Sequence, residues 1–126
     1  MRIKVLNKKS NSIFFECECG STWASTNENF LIDQFYDVEV DINKVFKFNE
    51  SMFIEDKELV EKILLNQNEI ILVGRIIDVS DVLTIKFCNS ILFIEFDNIE
   101  EIKFSENLFI KLIFKVNDFS IFNINT

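Results

Sequence analysis

The chain has 126 residues, 48% of them apolar, and a formal net charge of −8 from 21 acidic and 13 basic side chains. That length suits one domain burying roughly two-thirds of its unfolded surface, and the apolar content, with 15 Phe, excludes a disordered chain. Histidine and proline are absent and glycine occurs only at positions 20 and 74, which disfavours imidazole catalysis, Gly-rich phosphate loops and a flexible linker.

Residues 1–9 carry Arg2, Lys4, Lys8 and Lys9 without the apolar run of a signal peptide, and nowhere does an apolar stretch approach a bilayer span, so a cytoplasmic protein is expected. Arg2–Leu6 reads as a first strand with Ile3 and Val5 inward. After a polar turn, Ile13, Phe15, Cys17 and Cys19 alternate with Phe14, Glu16 and Glu18 as a second strand. Residues 20–29, rich in Ser, Thr and Asn, read as a loop carrying the lone Trp23. Tyr36–Asn43 is the clearest strand, with Val38, Val40 and Ile42 inward and Asp37, Glu39 and Asp41 outward, continuing or bending into Val45–Phe48. In residues 56–66, Leu59, Val60, Ile63 and Leu64 recur at helical spacing behind an Asp56 N-cap, which predicts one helix of about three turns. Glu69–Asp78 is apolar on both faces, and Gly74 within it predicts a bulge or bend. Leu83, Ile85 and Phe87, then Leu92, Ile94 and Phe96, alternate about a tight turn at Asn89-Ser90 as a hairpin. An acidic connection over residues 98–107 leads to the Leu108–Val116 strand, a turn at Asn117-Asp118 and a last strand, Phe119–Ile124.

These elements predict a single, mainly β domain over residues 1–126: an antiparallel small barrel or strongly curled sheet of about eight strands with one short helix. Closure is favoured because it removes the exposed edges of a Phe/Ile-rich sheet. The runs from Ile70 onward resemble the small Greek-key barrels of OB type, although the helix here precedes those strands.

Catalytic chemistry finds little to work with, and no catalytic residue is assigned. None of the nine serines lies in a nucleophile-elbow motif. Cys17-Glu18-Cys19-Gly20 resembles half a zinc knuckle, but Cys88 supplies only a third thiol where structural zinc needs four ligands, so no metal and no cofactor are expected. Three thiols are read as reduced and buried, with a Cys17–Cys88 or Cys19–Cys88 bridge geometrically open. Asp78 and Asp81 read as turn residues rather than a carboxylate pair.

The most suggestive surface is the row Asp37, Glu39 and Asp41. Carboxylates at i, i+2 and i+4 line one face of a strand over about 13 Å and repel one another unless cations lie opposite. Arg2 and Lys4, or Lys111 and Lys115, on a neighbouring strand would satisfy them. Otherwise the stripe is built to meet a basic protein surface, with Trp23 or Tyr36 as an aromatic anchor. Ten acids between residues 28 and 61 make nucleic acid an unfavoured partner and anionic membrane another.

The β segment GRIIDVSDVLTIKFCNSILFIEFD, residues 74–97, together with size and acidity, resembles small bacterial proteins of the toxin-immunity type. That resemblance implies a compact inhibitor that binds a cognate toxin domain stoichiometrically and blocks its active site. Three other classes stand beside it. An OB-like oligonucleotide binder needs a basic groove with stacking aromatics. A small-ligand barrel needs an unfilled interior. A subunit of a homo-oligomer needs an apolar outer face, for which Phe14, Phe93 and Ile113 are candidates.

Overall fold

Alternation of apolar and polar residues governs this chain, and period two places successive side chains on opposite faces. The computed structural model describes residues 1–55, 60–97, 105 and 107–124. In it the strands are β1 (Arg2–Lys9), β2 (Ser12–Cys17), β3 (Gly20–Ser25), β4 (Phe35–Ile42), β5 (Val45–Lys47) and β6 (Met52–Glu55). They continue with β7 (Lys62–Asn66), β8 (Glu69–Val79), β9 (Leu83–Phe87), β10 (Ser90–Asp97), β11 (Phe109–Lys115) and β12 (Phe119–Asn123), with a 3-10 turn at Val116–Asp118 before the last. Two-residue turns join β1 to β2, β2 to β3, β7 to β8 and β9 to β10. At the last of these both central residues, Cys88 and Asn89, have positive φ (48° and 63°), the left-handed conformation that matches a hairpin's twist.

Five strands close into a barrel. Antiparallel pairing runs β4–β1–β2–β3 and β4–β12, and the ring is completed where Ser120 of β12 bridges Ser25 of β3 in parallel. The intervening segment builds a second, curled layer in the order β6–β11–β8–β9–β10, with β5 added in parallel along β10. β7 lies on β8 and touches the barrel through the parallel bridge Gly20↔Ile63, where Ile63 N–H donates to the Cys19 carbonyl at 2.9 Å. Gly20 has φ 140°, and a Cβ there would lie 2.0 Å from the Ile63 carbonyl oxygen, so only glycine fits this crossing.

The buried apolar side chains form one cluster running through both layers. Its spine is a file of rings, Phe46 to Phe114 (6.1 Å), Phe114 to Phe119 (5.5 Å) and Phe119 to Phe15 (6.4 Å), linking β5 and β11 to the barrel strands β12 and β2. Tilted and edge-on pairs at such distances add to area burial.

Several expectations are corrected. The described residues form twelve strands rather than about eight. Residues 62–66, read as the second half of a helix, are strand β7, and 56–59 lie outside the described residues. Ile63 and Leu65 pair with Leu72 and Ile70 of β8 while Leu64 points outward, half-exposed. The apolar run Ile63-Leu64-Leu65 fits either period, and the non-local ladder selects the extended one. Residues 20–25 are a strand rather than a loop, because Thr22 and Ala24 are small enough for the barrel interior. Cys19 sits in the β2–β3 turn instead of on the strand, and the hairpin turn falls at Cys88-Asn89 rather than Asn89-Ser90. The closed barrel uses β1–β4 and β12, not the run from Ile70 onward. The irregularity of β8 lies between Ile76 and Asp78 rather than at Gly74, whose role is close approach to Ile85 and Lys86 of β9. The acidic connection, 98–107, lies almost wholly outside the described residues. Among the described residues no helix is long and apolar enough to cross a membrane.

Candidate functional site

β4 pairs with β1 along one edge and β12 along the other, and that register decides what lies beside its outward residues. Arg2 of β1 stands opposite Asp37, with Nη1 3.6 Å from Oδ1. Lys4 stands opposite Phe35, and both Arg2 and Lys4 lie over the Phe35 ring, at 5.3 and 5.7 Å from its centre. Beyond that point the neighbour changes. Phe122 of β12 faces Glu39 and Ser120 faces Asp41. Lys111 and Lys115 lie on β11, which pairs with β6 and β8. The neighbouring cations therefore answer Asp37, while Glu39 and Asp41 form no ion pair among the described residues.

Those two carboxylates border a groove of about 570 Å³ between β4 and β10, lined also by Ile91, Phe93, Phe122 and Ile124. A second hollow of about 430 Å³ continues it, sharing Asp41 and Phe93 and adding Lys44, Val45 and Glu95. Phe93 is 66% exposed and Ile91, Phe122 and Ile124 about half. Four exposed or half-exposed apolar side chains and two carboxylates thus share one groove.

The two aromatic candidates lie elsewhere. Tyr36 points inward, its ring edge-on to Phe30 at 4.9 Å and its hydroxyl oxygen accepting the Leu31 N–H at 2.9 Å, so it pins the β3–β4 connection. Trp23 is on the outer face of β3, beside Phe14 of β2 at 5.4 Å and beneath the Lys9 ammonium at 4.7 Å. β12 separates its strand from β4. The structure thus brings Asp37, Glu39 and Asp41 together, and joins neither Trp23 nor Tyr36 to them.

Sequence reasoning assigned no partner-binding role to Ile91, Phe122 or Ile124, and took Phe93 only as a possible assembly contact. Alternation along β10 exposes Ile91 and Phe93, and that signal was present. Their meeting with β4 and the chain's last strand depends on topology.

Elsewhere, Cys19 and Cys88 line one surface hollow together with Glu61. Hydrogen bonding, led by the Cys17 thiol, holds the Cys88 pKa down to about 6 against the opposing effect of burial. Cys17 is raised far above the ordinary thiol range, first by this hydrogen bond and then by burial, whereas Cys19 is pushed up to about 12 chiefly by burial. All three are free thiols. Among the described residues no group of three His, Cys, Asp or Glu side chains is arranged to hold a metal ion.

No protein-family model, no curated protein and no solved structure matches this chain.

Proposed function

We propose that the protein is a non-catalytic binding module that seats a basic segment of a partner protein in the β4–β10 groove, as an immunity protein would hold a toxin domain. The single observation behind this reading is the juxtaposition of Phe93, Ile91 and Phe122 with Glu39 and Asp41, two carboxylates that form no ion pair among the described residues. Apolar side chains presented to water favour a partner that covers them, and the carboxylates select one carrying Lys or Arg. Steering by the −8 charge raises the rate of encounter, and the aromatic contact slows release.

The test is binding to the product of the adjacent reading frame, measured by calorimetry. Reversing Glu39 and Asp41 to Lys is expected to weaken the complex at least about tenfold, or 1.4 kcal/mol, with an unchanged circular dichroism spectrum. Phe93→Ala should do the same through faster dissociation. Unchanged affinity in both variants refutes the groove as the contact.

A second reading has its own support. The strand order β1–β2–β3–β12–β4, closed on itself with one parallel pair, resembles OB-type barrels, which bind oligonucleotides on the face of their second and third strands. Here that face carries Phe14, Trp23 and Lys9. Quenching of Trp23 fluorescence by single-stranded DNA or RNA at low salt would favour it, and a flat titration would remove it.

A further inference from the structure

Two strands flank the groove, and on each the edge that faces it lacks a ladder partner among the described residues. Main-chain groups alternate in direction along a strand, so the register tells which residues they belong to. On β4, Val38 exchanges hydrogen bonds with Met1 on the β1 side, at 2.8 and 3.0 Å, while the Asp37 carbonyl accepts the Ile124 N–H on the β12 side. Even-numbered residues of β4 therefore point towards β1, and that ladder ends at Val38. The N–H and C=O of Val40 lie beyond it, on a residue that lines the groove. On β10, the Ser90–Phe87 pair closes the two-residue turn, so Ser90, Leu92 and Ile94 bond to β9. Ile91 and Phe93 turn their N–H and C=O to the other edge, which β5 covers only from Glu95 onward.

We propose that the partner's basic segment binds as an extended strand added to β10 at Ile91–Phe93, in line with β5, with lysine or arginine at alternate positions. This rests on the groove reading above and specifies what enters it. An added strand satisfies open donors and acceptors, whereas a helix, already bonded internally, leaves them unmet. This edge of β10 already takes a strand, since Val45–Lys47 pairs with Glu95–Asp97 immediately beyond.

Charge and burial then fix the pattern of side chains. Glu39 and Asp41 of β4 and Glu95 of β10 point outward beside Ile91 and Phe93, whereas Val38, Val40 and Ser90 are buried and form the floor. Alternate side chains of an extended segment face opposite ways. One set meets the carboxylates, and the other, apolar and small, meets the valines. Lys44, the lysine of the second hollow, has its ammonium over the Phe46 ring at 5.8 Å and makes no ion pair with these acids.

The probe is a synthetic seven-residue peptide alternating lysine with valine, capped at both ends and titrated into the nitrogen-15-labelled full chain. Expected are amide shifts centred on Ile91 and Phe93, slower amide exchange at both, and at least about tenfold weaker binding when glutamate replaces lysine. Two further peptides carry N-methyl groups on the lysines or on the valines. Only one set of amides faces β10, so one methylated peptide should bind like the parent and the other should lose binding. Equal loss or equal retention by the two, shifts centred on Arg2, Lys4 and Phe35, or no binding at millimolar peptide would each overturn strand addition. Shifts at the groove that grow with protein concentration alone would place a second copy there and overturn it too. The groove reading fails separately, on reversal of Glu39 and Asp41 against a folded partner. A partner that needs those carboxylates but leaves the Ile91 and Phe93 amides exchanging freely overturns the added strand alone.

Discussion

At Cys88 a left-handed backbone torsion and a hydrogen bond from its own N–H to Glu61 act on one residue, and hydrogen bonding led by the Cys17 thiol lowers its pKa. Its reactivity should therefore follow an unusual pH profile. With the pKa held to about 6, the thiol predominates below that pH and alkylation is slow; above it the thiolate predominates and the rate levels off. The charged neighbours in the same hollow are Glu61, which accepts the Cys88 N–H, and Glu18 in the facing turn. Iodoacetamide labelling from pH 4.5 to 9 in the Cys17→Ala, Cys19→Ala variant should shift the Cys88 midpoint upward relative to the native chain, because the two thiols that lower its pKa are gone. A midpoint near the ordinary thiol value in the native chain contradicts a lowered Cys88 pKa. Tyr36 makes the complementary point. Its hydroxyl is used inside the protein, on the Leu31 N–H, so amphipathic character in a sequence does not by itself indicate display.

Among the elements, β3 depends most on a single atom's absence. At Gly20 the added methyl of alanine would meet the Ile63 carbonyl at 2.0 Å, at a φ of 140° that L side chains rarely adopt. Gly20→Ala should cost at least about 2 kcal/mol, read as a lower urea midpoint, and should loosen the β3–β7 contact first, seen as faster amide exchange at Ile63. Equal stability would mean that β7 can shift away from the barrel. β4, β9 and β10 were legible because Val38, Val40, Ile42, Leu83, Ile85, Leu92 and Ile94 alternate without interruption. β3 was not, since its inward residues are Thr22 and Ala24, whose smallness suits a narrow interior but looks like loop composition. β7 was not, because helical spacing and a strand ladder share the run Ile63–Leu65, and the deciding partner, β8, supplies pairing that no local period encodes. The groove was half legible. Glu39 and Asp41 followed from β4 alone, while Phe122 joined them only through the β4–β12 pairing.

Across the whole molecule, the basic strand and the acidic groove stand apart among the described residues. Arg2, Lys4, Lys8 and Lys9 all lie on β1, while Glu39, Asp41 and Glu95 gather about the groove. The two readings of function accordingly occupy different faces, and a variant at one leaves the other intact. The ring file Phe46–Phe114–Phe119–Phe15 couples the layers beneath both faces, with Phe119 at its centre, fully buried. Because β12 supplies the partner for both β3 and β4, the barrel's first four strands cannot seal until residues 119–123 are made. A nascent chain leaving the ribosome thus carries two raw sheet margins, oily on one side, through the synthesis of everything between. Its safe production is a matter of timing: either chaperones guard those margins, or translation of the middle segment outruns their self-association.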